Sequence, residues 1–376
     1  MDIRLKEILD AIEQNGSLDQ TAVKEAEARQ EVLAKPTGAL GTLEDISVQL
    51  AGITGKVKNS MKKQAVVIMS ADNGVVDEGV ASAPQSVTLS QTINFTRHYT
   101  GVSSMAKYFG IDLLVVDTGV KMKIPASLYV DEMTESGRLT SRIVNRRLAD
   151  GTRNLAKEPA MTKEEALRAL MTGVEAAKAV KDCGYDIFGI GEMGIGNTTT
   201  SACVLAALCG KTGEDVVGRG GGLNDEGLAK KIRIVDQAIS GLDPADGIGV
   251  LATVGGFDIC AMTGAFLGAA SYRSPVVIDG YISAVAALCA YRLAPNSVNF
   301  MFGSHQSKEK GYLIAMDALG VKPYFNLGMR LGEGSGCPIS FKIIETACAA
   351  MNGMATFAEG SIDADYLEEG KKGNFF

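Results

Sequence analysis

From residue 64 onward, short apolar β-type runs alternate with longer helical patterns, and this alternation constrains the fold more than any other feature of the chain. The clearest runs are Ala65–Met69, Leu113–Val116, Ile187–Ile190 and Val276–Ile278. Strands that are apolar along their length, separated by helices, are the signature of a parallel sheet covered on both faces. The expected fold is α/β: a doubly wound, mainly parallel sheet with helices on both faces, plus a small helical domain formed largely by the N-terminal segment. Each run is followed at once by small or polar residues: Ser70–Gly74, Asp117–Gly119, Gly191–Thr199 and Asp279–Gly280. In open α/β sheets ligands bind beyond the carboxyl ends of the strands, so these loops are expected to converge on one crevice.

Three segments are expected: a helical appendage over residues 1–60, an α/β domain over 61–360, and a polar tail over 361–376. In the first, Leu5, Ile8, Leu9 and Ile12 form an apolar helix face that Gly16 ends, and Ser17 with Gln20 reads as a capping box for the next helix. The break Lys35-Pro36-Thr37-Gly38-Ala39-Leu40-Gly41 precedes a third helix opened by Thr42 and Asp45. Lys35 there reads either as a reach towards an anion or as part of a plain connection. Residues 121–161 read as a connection or hairpin beside the core. Thr162 and Glu165 cap a long Ala-rich helix to about Lys181.

At 376 residues and 46% hydrophobic content, the chain can bury a large core. A net charge of −7 argues against a general nucleic-acid surface. The seven cysteines contain no Cys-x-x-Cys pair and read as reduced, buried apolar residues. With only His98 and His305 present, a protein-built zinc site is not expected. The opening residues lack the apolar core of a signal peptide, and no apolar run is long enough for a membrane helix, so the expected compartment is cytoplasmic.

Two Gly-rich loops point to anion binding. Gly194, Gly196, Asn197, Thr198 and Thr199 lead from a strand into an apolar helix expected from near Ser201. A Gly-rich turn at a helix N-terminus presents unpaired N–H groups and the positive end of the helix dipole. Neither the P-loop lysine nor the dinucleotide fingerprint is present, which favours a phosphate monoester and excludes a doubly wound dehydrogenase. The second loop, Val217–Gly227, precedes a helix carrying Lys230 and Lys231. Alone, this second loop reads equally well as a flexible surface loop before a charged helix; two such loops in one sheet protein favour anion binding. Residues 252–264 read as a tightly packed buried helix, with Asp258 a weak functional candidate. Ser304–Gly311 could bind an anion through its hydroxyls, with His305 structural. In Gly328–Cys337, Glu333 stands between glycines and on spacing alone reads as a solvated turn acid.

Taken in order, Lys35–Gly41, Ala71–Gly74 with Glu78–Val80 and Pro84–Thr88, Gly191–Thr199, Gly218–Lys231, Val254–Met262, Ser304–Gly311 and Met329–Gly336 resemble the nicotinate-nucleotide:dimethylbenzimidazole phosphoribosyltransferases of cobamide biosynthesis. The resemblance spans nearly the whole chain. It implies a pentosyltransferase that moves 5-phosphoribose from nicotinate mononucleotide to the lower-ligand base of a cobamide, releasing nicotinate, with no cofactor and no metal. It implies Glu333 as the catalytic base. Glu192, Met193, Gln85, Leu331 and Gly332 would surround the acceptor base, and Gly194, Gly196, Gly220, Lys231 and Ser307 the phosphate. It further implies a dimer whose site borrows residues from its neighbour, giving the appendage a role.

Two places depart from the family pattern. Asn73 stands where histidine is common, and Gln306, Lys308, Lys310 and Tyr312 stand where Arg, Ala, Pro and His are usual. These leave the acceptor open among benzimidazoles, purines and phenolic bases. They also leave open a homodimer or a heterodimer with a paralogue, the alternative function being a nucleotide-binding subunit that completes its partner's site. No nucleic-acid or membrane partner is expected.

Overall fold

The structure is a computed structural model that describes residues 3–363; the remainder of the expected tail, 364–376, lies outside the described residues. The strands, in chain order, are β1 (Gln64–Ala71), β2 (Asp112–Gly119), β3 (Tyr129–Val130), β4 (Thr134–Glu135), β5 (Arg138–Leu139), β6 (Ile143–Asn145), β7 (Ile187–Met193), β8 (Val276–Ile278) and β9 (Met301–Phe302). Seven of them form one sheet in the order β3-β6-β2-β1-β7-β8-β9, every pair parallel. From β1 the chain passes to β2 on one side and later to β7 on the other. That reversal is the topological switch point at which α/β sheets open a crevice.

Helices cover both faces. Phe257–Ser271, buried along nearly its whole length, packs on Lys163–Asp182 and across β1, β2 and β7. Ser86–Thr96, Gly101–Phe109 and Cys337–Gly353 cover the same strands from the opposite side. The fold reading from the alternating pattern is thus realised. Glycine permits the tight packing: a Cβ at Gly264 would lie 1.7 Å from the Leu170 carbonyl oxygen. No described helix is long and apolar enough to cross a membrane.

The N-terminal helices Ile3–Asn15 and Thr42–Thr54 share the main core through Leu5, Ile12, Ile46, Leu50 and Ile53, while Ala22 and Ala26 of Gln20–Val32 pack with Ala51 and Met351 in a smaller cluster. Arg273 fastens them by donating to the carbonyls of Asn15, Ser17, Gly52 and Ile53. Several local expectations change. The second helix is capped by Asp19, whose carboxylate accepts from the Thr21 and Ala22 N–H groups, and not by a Ser17–Gln20 box. Lys35 is buried against Glu44 at 2.8 Å, so it is committed to that pair and does not reach for an anion. Residues 121–161 do hold a hairpin, β4–β5, but also β3 and β6, which extend the sheet beyond β2. The Thr162–Glu165 capping box forms as read, opening Lys163–Asp182.

Candidate active site

A cavity of about 310 Å³ opens at the carboxyl ends of β7, β8 and β9, with residues 80–83 beyond β1 forming one wall. Of the four loops expected to converge, Gly191–Thr199 and Asp279–Gly280 contribute to its lining and two do not. Asp72 is consumed by Thr88 Oγ1 and the Lys121 N–H, and Asp117 by the Gly119 and Val120 N–H groups and the Tyr129 hydroxyl. Buried carboxylates so placed fix the turns after β1 and β2, and their oxygens are spent on the fold.

The loop after β7 turns at Gly196, whose φ of 97° is left-handed, and enters the helix Asn197–Cys209. This helix begins earlier than Ser201, so Asn197, Thr198 and Thr199 occupy its first turn. Gly194, Gly196, Thr198, Gly220, Gly221 and Ser307 line the cavity. Lys231 lies behind them, almost fully buried, its Nζ donating to Thr198 Oγ1 at 2.9 Å. Burial lowers the Lys231 pKa to about 8, while the negative charge of Glu309 raises it. Glu309 and Arg330 also line the cavity.

Glu192, Met193, Leu331 and Gly332 also line the cavity; Gln85 does not, since it donates to the Asn73 carbonyl and accepts from Lys121 Nζ. Glu192 is buried, and its carboxylate accepts from Asn197 Nδ2 and, at 3.2 Å, from the Glu333 N–H. Burial raises its pKa to about 7, against the lowering effect of those two donors. Asp258, fully buried at the start of Phe257–Ser271, accepts from the same Asn197 amide at 3.3 Å, and burial with the nearby Glu192 charge raises it to about 7. Asn73 is buried beside Asp258: a Cβ at Gly256 would lie 2.3 Å from Asp258 Oδ1 and 2.5 Å from Asn73 Oδ1. It stands behind the cavity and not in its lining.

Glu333 adopts φ 64°, left-handed for a residue with a Cβ, at a cost of about 1–2 kcal/mol. The residue is 5% exposed and sits just outside the lining, next to Leu331 and Gly332. A Cβ at Gly101 would lie 2.4 Å from Leu331 Cδ2 and 3.3 Å from Glu333 Oε2, so a side chain there would displace Leu331 and crowd the carboxylate. Oε2 accepts from the Val102 N–H at 3.2 Å, at the start of the helix Gly101–Phe109, and Oε1 accepts from Gln91 Nε2 at 3.3 Å. Burial raises the Glu333 pKa above the usual carboxylate range, and the N–H groups of Val102 and Gly101 oppose it. The Thr100 side chain is a further donor to this carboxylate.

Asp279, Gln91 and the helix start at Gly101–Val102 were not singled out from sequence. Asp279 had a signal, an acid directly after the β8 run. Gln91 and Val102 had none, because they meet Glu333 only through the fold. His305 is fully buried and neutral, burial lowering it to about 4. All seven cysteines are free, and six are buried. Among the described residues no group of three or more His, Cys, Asp and Glu is arranged to hold a metal ion.

The model of a family described as phosphoribosyltransferase, DBI_PRT, matches residues 16–362. Over 369 residues the chain is 52% identical to the nicotinate-nucleotide–dimethylbenzimidazole phosphoribosyltransferase of Clostridium perfringens (strain 13 / Type A), covering 98% of each. Over 353 residues it is 48% identical to the protein of the same name from Clostridium tetani (strain Massachusetts / E88), covering 93% of each. Among solved structures it is similar to CobT from Thermus thermophilus, with a TM-score of 0.85 at 36% identity, over 92% of this chain and 99% of that one.

Proposed function

The chain belongs to the nicotinate-nucleotide–dimethylbenzimidazole phosphoribosyltransferase family of enzymes, and from that membership we propose that it moves 5-phosphoribose from nicotinate mononucleotide to a cobamide lower-ligand base, with Glu333 as general base. The relatives' shared name supports the transfer itself. The observation that carries the base assignment is the setting of Glu333: a buried carboxylate with raised pKa beside the cavity, held by the Val102 N–H and the Gln91 amide.

The donor's phosphate would sit against Gly194, Gly196, Gly220 and Ser307, at the start of Asn197–Cys209, where the helix dipole is positive. Lys231 adds a cation through Thr198. The acceptor would lie against Met193, Leu331 and Gly332, with Glu192 beneath. As Glu333 removes the acceptor's N–H or O–H proton, the acceptor's lone pair attacks C1 of the ribose. The C1–N bond to the pyridinium breaks, nicotinate leaves with that electron pair, and the C1–acceptor bond forms. The proton remains on Glu333 until it passes to water. The leaving nitrogen carries its positive charge before the bond breaks, so it departs neutral and requires no proton. A homodimer or a paralogue heterodimer, with residues 1–60 contributing, is part of the same proposal.

The test is to incubate the purified chain alone with nicotinate mononucleotide and, in turn, dimethylbenzimidazole, adenine and p-cresol, and to assay α-ribotide and nicotinate. Product with at least one acceptor is expected. Binding of nicotinate mononucleotide with no product from any acceptor would favour the subunit reading, in which a paralogous partner supplies what is missing.

A further inference from the structure

We propose that Asp279 is the positioning residue for Glu333, gripping the loop after it so that its carboxylate is held at the cavity. The proposal rests on the reading of Glu333 as base. Asp279 follows β8 directly, is 2% exposed, and lies 55 residues from the loop that it holds. Its two oxygens divide between two backbone donors: Oδ2 accepts from the Gly334 N–H at 3.0 Å and Oδ1 from the Gly336 N–H at 2.7 Å. With Glu192 taking the Glu333 N–H, carboxylates of two neighbouring strand ends hold this short loop at three points.

The backbone of that loop explains why a carboxylate is needed. Gly332, Glu333 and Gly334 have φ of 81°, 64° and 86°. N–H groups brought together by such a tight turn make a concave site for a carboxylate, and Asp279 bound to those of Gly334 and Gly336 stabilises a conformation that Glu333 would otherwise avoid. Asp279 is itself fixed: its N–H donates to Ser283 Oγ, and its carbonyl accepts from Ser304 Oγ at 2.7 Å. Packing leaves no slack on the far side, since a Cβ at Gly336 would meet His305 Nδ1 at 2.3 Å. The hydroxyl and imidazole of Ser304-His305 thus support the base from behind. An amide cannot replace Asp279, because its NH2 would face one of the two N–H donors.

The experiment is steady-state kinetics of Asp279→Asn, Glu333→Gln and the double variant, with nicotinate mononucleotide and dimethylbenzimidazole, alongside thermal melts. Displacing a reacting group by about 1 Å costs roughly a hundredfold. The expected result for Asp279→Asn is that fall in kcat, with KM for nicotinate mononucleotide within about threefold, since its phosphate is held by other loops. Residues that act as a unit are non-additive, so the double variant should be no slower than Glu333→Gln. Wild-type kcat in Asp279→Asn beside a slow Glu333→Gln overturns the proposal alone, as do losses that multiply in the double variant. A fully active Glu333→Gln overturns the base reading and the proposal with it. Should Asp279→Asn lose its cooperative melt, Ser304→Ala loosens the same anchor more gently. It should lower kcat several-fold at unchanged KM, and unchanged kcat would overturn the proposal.

Discussion

Glu333 is strained, buried and surrounded by donors, and each of these properties bears on its basicity. Burial and the loss of water favour the neutral acid, so its pKa rises; the Val102 and Gly101 N–H groups and the helix dipole behind them pull it back. To accept a proton it must be ionised. Activity is therefore lost as pH falls through that raised value. On the alkaline side, Lys231 holds its charge below its lowered pKa of about 8 and loses it above. A profile of kcat/KM for nicotinate mononucleotide should fall above about pH 8, and Lys231→Arg, which keeps its charge, should remove that fall. A wild-type profile flat to pH 9.5 would remove Lys231 from the phosphate site. The Gly-flanked acid itself was legible in the sequence. Its left-handed backbone and its partners were not, because Glu192 and Val102 reach it from 141 and 231 residues away and Asp279 reaches the adjoining Gly334 from 55.

At the scale of elements, local chemistry was legible where competing donors were few. Thr162 accepts from the Glu165 N–H at 3.1 Å, and the Glu165 carboxylate returns to the Thr162 N–H at 2.7 Å. Thr162→Ala should cost about 1 kcal/mol, seen as a lower urea midpoint with kcat unchanged; an unshifted midpoint would show that the helix start is held by packing. The Ser17–Gln20 reading failed because Asp19, nearer the helix start, is an equally good cap and takes two N–H groups. The Asp72 and Asp117 loops failed as cavity loops for a related reason. A polar residue after a strand can face a ligand or satisfy the turn, and the sequence does not distinguish the two. The N-terminal turn at Gly194–Thr199 was read correctly in kind because glycine and a helix start constrain each other locally, although the helix begins at Asn197.

At the scale of the whole molecule, the parallel sheet followed from alternating runs, and its crevice from the switch between β1 and β7. The hidden feature is a concentration of acid in the core beneath the cavity. Asp258 and Glu192 are raised from 3.8 and 4.5 to about 7, so the folded chain binds their protons more tightly than the unfolded chain does. The resulting stabilisation is complete below about pH 4 and lost as pH rises through about 7. Thermal melts should therefore fall from about pH 5 to pH 8, and Asp258→Asn should flatten that slope; a melting temperature that rises over the same range in the wild type would contradict it. The measurement that bears most directly on the function is kcat of Glu333→Gln with nicotinate mononucleotide and dimethylbenzimidazole, with donor binding followed in parallel. Loss of the general base predicts a fall of about 10²–10⁴ with donor affinity retained. Wild-type turnover would contradict Glu333 as the base.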